Sequence, residues 1–259
     1  MQWMTLLKKE LLENWRNKKW IWVPLVIILL SIMDPLTTYF MPQILDSVGG
    51  MPEGTVIEMP EFAPAEVVLI TLGQLSSLGV LIVVLITMGT ITGERKSGVS
   101  ELVLVKPVSF WNYISAKWVS FLLLVWASLF FGILVHWYYI NILFGNLSFT
   151  EFLTIFFFFG VWLTFVVSLT IFYSSVVKST GLVAFFTILT IMAMSLVTEI
   201  FQYVLDWSPN NLSDYIFESL VNGEVVSDLW ITAGITFGIS LLLLVSSVQI
   251  FKRKEMVIS

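Results

Sequence analysis

The chain has no cysteine and a single histidine, and only 12% of its 259 residues are charged. Each shortage removes a class of chemistry. Without cysteine there is no disulfide, thiol nucleophile or thiolate metal site, and the redox compartment stays unread. The lone His136 allows no HExxH helix, so a zinc-dependent intramembrane protease fails on ligand count. No GxSxG elbow exists to partner His136 as a hydrolase nucleophile. With Trp137 and Tyr138 beside it, His136 is expected at the outer aromatic belt as an interfacial residue. There is also no GxxxxGK[ST] loop, so the chain does not bind ATP by that route.

What is present is apolar. Hydrophobic residues make up 58% of the chain, against about 45–50% in a soluble domain. Uncharged runs longer than about 18 residues recur, as in membrane spans. The sequence therefore predicts an all-α integral membrane protein, one transmembrane domain over 1–259. Its spans are expected at 20–40, 67–92, 118–140, 152–177, 181–205 and 229–251. No small-residue cleavage pattern follows the first apolar segment, so a cleaved signal peptide is not expected.

Basic residues test this count. In a six-span layout the N-terminal segment, the loop after span 2, the Lys178 turn and the C-terminal tail hold five, four, one and three Lys or Arg, all 13 in the chain. The segments on the other side hold none. By the positive-inside rule both termini are expected in the cytoplasm of a multi-pass cell-membrane protein. The outer segments, 41–65 and 206–228, carry acids, and Leu212, Tyr215, Ile216 and Leu220 suggest a short surface helix in the second.

Residues 1–19 form a basic amphipathic segment. Met4, Leu7, Leu11 and Trp15 recur at helical spacing, with Lys8 and Lys9 between them, as in a helix lying in the headgroup layer. Asp34-Pro35 marks either a break in span 1 or its outer interface. Asp34 and Glu199 are the acids nearest membrane depth and hence candidate pathway residues. The Phe156–Phe159 run reads best as lipid-facing packing. Gly89-x-x-x-Gly93 and Gly234-x-x-x-Gly238 offer weak signals for close helix approach.

The most informative stretch begins where the uncharged second span stops, at Gly93-Glu94-Arg95-Lys96. Val99, Leu102 and Val103 then recur at helical spacing around Ser100 and Glu101, with Gly98 before and Lys106-Pro107 after. Proline disfavours helix in the residue before it, so Pro107 ends the segment. A short amphipathic helix over 94–105 reads as a docking element, because a bare turn needs only a few residues, as Lys178-Ser179-Thr180 shows.

This stretch resembles the membrane subunits of ABC transporters of the type-2 permease class. Their motif E-R/E-x-x-G-T-x-E-x-L is matched by Glu94, Arg95, Gly98, Glu101 and Leu102, with Val99 in place of threonine. Pro107, Val108, Ser109 and Lys117 match the step into span 3. Lys8, Lys9, Glu10, Leu11 and Leu12 look like the family's interfacial helix, and the similarity covers the whole six-span layout. It implies a permease subunit of an ATP-driven exporter, paired with a second permease subunit and two separate ATP-binding cassette subunits. ATP and magnesium would sit on those partners, and this chain would bind no cofactor and catalyse no reaction itself. Residues 94–105 would be the coupling helix, braced by the helix from Leu7 to Trp15. The expected cargo is hydrophobic or amphipathic (a peptide antibiotic, lipid or drug), with a cation as second choice. The rival readings are a non-transporting signalling or immunity protein that docks a cytoplasmic partner, and an ion-driven carrier using Asp34 and Glu199.

Overall fold

A computed structural model describes residues 2–48, 62–98 and 108–258. Val99, Glu101, Leu102 and Pro107, with most of the expected coupling helix, lie outside the described residues, as does most of the loop after span 1. Among the described residues the fold is helical throughout, without a strand. Six helical stretches are long and apolar enough to cross a membrane: Lys19–Leu45, Pro64–Lys96, Phe110–Leu143, Phe149–Val176, Thr180–Ile200 and Ser227–Lys254.

The chain opens with α1 (Gln2–Arg16) and turns at Lys18, which takes a left-handed backbone, into α2 (Lys19–Val48). Helix α2 runs unbroken through Asp34-Pro35, so of the two readings of that pair the helix break is wrong. A proline at position 35 has no N–H for the carbonyl four residues back, that of Ser31. His136 supplies the missing donor: its Nδ1 lies 2.9 Å from the Ser31 oxygen. The histidine is thus buried between helices, 1% exposed, and not the interfacial residue expected. Aromatic neighbours misled that reading, because they mark a depth in the membrane and not a side of the helix.

Span 2 is jointed. It comprises α3 (Pro64–Gln74), a π-helical turn (Leu75–Gly79), α4 (Val80–Thr87), an irregular break at 88–91, and a short α5 (Thr92–Lys96). Span 3 is α6 (Phe110–Leu143) and starts two turns before the expected residue 118, so Lys117 lies inside the helix. Span 4 is α7 (Phe149–Val176), whose start is fixed by a reciprocal cap: Glu151 N–H donates to Ser148 Oγ (3.2 Å) and Ser148 N–H donates to the Glu151 carboxylate (2.6 Å). α8 (Thr180–Ile200) is span 5. After a 3₁₀ turn (Pro209–Asn211) and the short α9 (Leu212–Asn222), α10 (Ser227–Ile258) forms span 6.

Helix α7 is the axis of the bundle. It packs against α4, α6, α8, α9 and α10 and is buried over most of its length. This corrects the reading of the phenylalanine run. Phe158 and Phe159 lie in the core, and Phe157 is the member left exposed. Successive side chains on a helix point about 100° apart, so four in a row must face several environments. Hydroxyls on one face of α7 receive indoles from α6: Trp126 donates to Thr164 Oγ1 (3.0 Å) and Trp118 to Ser168 Oγ (2.8 Å). Gly160 makes room for Trp126, since a Cβ there would stand 2.8 Å from its ring. Gly132 likewise admits α2, with a built Cβ 2.8 Å from Ile27. Of the four glycines that gave a weak signal for close approach, Gly93, Gly234 and Gly238 have open space around them within the protomer, while a Cβ on Gly89 would stand 3.8 Å from Thr180.

Candidate functional site: a buried charge clasp at the joint of span 2

Five polar side chains from α1, α5 and α6 meet at the basic end of the bundle. Lys117, 1% exposed, places its ammonium 2.8 Å from Glu10 Oε1 and 2.9 Å from Glu94 Oε1. Lys9 pairs with Glu10 at 3.0 Å and also with Glu94. Tyr113 donates its hydroxyl to the other oxygen of Glu94. Two ammonium groups thus face two carboxylates, so the cluster is neutral while each charge is satisfied. Burial disfavours the Lys9 cation, yet the carboxylates of Glu10 and Glu94 outweigh it and hold Lys9 above the ordinary lysine range.

Sequence geometry explains how α1 reaches the clasp. Leu7, Glu10 and Asn14 recur at helical spacing and are its buried face. That face lies on α6, with Trp3 Nε1 donating to Ser115 Oγ and Asn14 Nδ2 to Ser120 Oγ, both at 3.0 Å. Leu7 therefore packs against protein, while Met4, Leu12 and Trp15 are exposed and Leu11 is half-buried. The expected stripe of Met4, Leu7, Leu11 and Trp15 is split between two surroundings, and Lys8 points to the exposed side.

The break at 88–91 sits immediately before Glu94. Its loose backbone groups have donors and acceptors from neighbouring spans. Lys19 donates to the Ile86 carbonyl (3.1 Å), and Ser174 Oγ of α7 accepts from Ile91 N–H (3.2 Å) and Thr92 N–H (3.3 Å). Non-helical backbone at such a depth requires partners of this kind. Helix α5 is consequently a separate lever, joined to span 2 by a short irregular segment and gripped by α1 and α6 through Glu94. Arg95 on the same lever lies over the Phe251 ring at 4.6 Å and donates to the Ser175 carbonyl (3.4 Å), which engages α10 and the end of α7. Gly98 follows with a positive φ of 74°, where glycine carries no steric penalty.

Oxygens of Glu10, Glu13 and Glu94 lie within 4.8 Å of one another. They do not read as a metal site, because the Lys9 and Lys117 ammoniums are already bound to them. The candidate pathway acids lie elsewhere. Asp34 meets span 2, where the Gln74 amide, correctly oriented, donates to its carboxylate (2.7 Å) and to the Leu30 carbonyl (2.8 Å). Glu199 is exposed at the end of α8.

The chain matches the family model described as "ABC-2 family transporter protein" over residues 4–256. It belongs to the ABC-2 transporter family. It is also 32% identical over 255 residues to the uncharacterized transmembrane protein YxlG of Bacillus subtilis (strain 168), covering 97% of this chain and 98% of that protein. As a member, the chain is a membrane permease subunit of the kind that generally works with a separate ATP-binding subunit.

Within this family member, Lys117 and Tyr113 are the residues sequence reading undervalued. Lys117 matched a motif position, but only the fold shows it buried against Glu10 and Glu94. Tyr113 gave no signal, since an aromatic near a span end is common.

Proposed function

We propose that this permease subunit couples ATP-driven closure of two separate ATP-binding subunits to export of a hydrophobic or amphipathic molecule, with both termini and the charge clasp on the cytoplasmic side. A second permease subunit completes the assembly, and ATP and magnesium sit on the partner subunits. The observation carrying this reading is the clasp: Glu94 opens the 94–105 segment and is tied to α1 and α6 behind a break in span 2. A push on that segment reaches three elements at once through charged contacts, which differ sharply in energy between two geometries. The cargo class is supported by a cavity of about 580 Å³ towards the acidic end, between span 2 and α8, where the lining is mainly apolar with Ser76, Ser77, Ser195, Asn210, Ser213 and Asp214 as polar groups.

Co-purification with the ATP-binding subunit, followed by ATPase assay in nanodiscs, tests the reading. Glu101→Ala is expected to weaken assembly. Glu94→Gln is expected to leave assembly intact and to lower cargo-stimulated ATPase activity. Normal assembly and turnover in both variants would refute the coupling role.

A further inference from the structure

Beneath α1 lies a cavity of about 840 Å³ at the basic end, bounded by span 2 and the start of α8. Its lining mixes polar side chains such as Arg16, Asn17 and Lys19 with apolar ones such as Leu85, Met88 and Phe121. Leu85 and Leu12 are both open at this edge, 47% and 58% exposed. A lining of mixed polar and apolar groups, open beside Leu12 and Leu85 at the end of membrane-spanning helices, suits a lipid with its headgroup at the interface.

The charges select the headgroup. Four cations and three carboxylates line the cavity. Lys9 and Lys117 are bound to Glu10 and Glu94, and Glu13 lies 3.4 Å from Lys9. Arg16 and Lys19 make no ion pair among the described residues; Lys19 donates to the Ile86 carbonyl and lies over the Phe121 ring at 4.9 Å, with the Glu13 and Glu10 carboxylates near enough to act on its charge. Against three carboxylates the four cations leave the lining with one positive charge in excess, and Arg16 and Lys19 are the cations that stand outside the clasp. We infer that this cavity binds the phosphate headgroup of an anionic phospholipid from the leaflet at the basic end, with an acyl chain along Leu85 and Phe121. The occupant would lie directly against the joint of span 2, since Gly89, Thr90 and Gly93 line the same space.

Native mass spectrometry on protein released from nanodiscs of equimolar phosphatidylglycerol and phosphatidylcholine tests this. Wild type should retain phosphatidylglycerol in preference. Arg16→Gln alters an exposed side chain and should fold normally. It should weaken that retention about fivefold, the effect of one cation near an anionic surface, and Arg16→Lys should preserve it. Lys252→Gln, an equal charge change on an exposed residue of α10, should leave retention unchanged. Equal retention of the two lipids by wild type would overturn the inference. So would an equal loss with Lys252→Gln, which would mean diffuse surface attraction, or displacement of the lipid by soluble glycerol phosphate, which would mean a site for free anions.

Discussion

Replacing Lys117 with methionine keeps the length of the side chain and removes its charge. Lys117 is 1% exposed and contacts both Glu10 and Glu94, so the variant leaves two buried carboxylates sharing only Lys9. Removing one partner of a buried ion pair costs about 3–5 kcal/mol, because the remaining charge is uncompensated. For a chain of this size about 1 kcal/mol corresponds to 2–4 °C, so unfolding in nanodiscs should shift down by about 6–20 °C. Lys9 makes similar contacts, but its side chain is 37% exposed and water can replace them. Lys9→Met should therefore cost about 1 kcal/mol or less. The decisive variant is the double mutant Lys117→Met with Glu94→Gln, in which Lys9 and Glu10 again balance. It should recover at least about 1 kcal/mol relative to the sum of the single changes. Equal effects of Lys117→Met and Lys9→Met, with no recovery in the double mutant, would refute the view that burial makes the clasp a single unit.

The same double-mutant comparison applies to the Ser31 carbonyl. His136→Leu should cost about 1–3 kcal/mol by stranding that acceptor, and less in a Pro35→Ala background, where the backbone at position 35 regains an N–H for it; equal costs in both backgrounds would refute the pairing. Gly132→Ala should cost about 1–3 kcal/mol through contact with Ile27 and Ser31, whereas Gly234→Ala, with open space around it, should be near neutral in the monomer by the same unfolding assay. Partial desolvation raises the Asp214 carboxyl above its usual range, but the residue is exposed and water screens it. Asp214→Asn should therefore change thermal stability at pH 7 by no more than about 0.5 kcal/mol, and a larger gain would refute that screening.

Membrane residence, the helical class and the set of spans were legible in the sequence because a bilayer imposes a one-dimensional rule. A span must be long and apolar, and basic residues gather on one side. The motif from Glu94 to Pro107 was legible for a similar reason, as a charged interruption of local pattern. Depth and facing were not. His136 and the phenylalanine run were misplaced because hydropathy tells which residues avoid water but not whether they face lipid or protein, which are equally apolar. The joint at 88–91 had only a faint trace, Gly89 beside Thr90, since its stability comes from Lys19 and Ser174 on other spans. The clasp required the fold altogether. Glu10, Glu94 and Lys117 each stood at a motif position, but nothing in the sequence joins them, and only the packing of α1 on α6 removes water from around them and turns three separate charges into one buried contact.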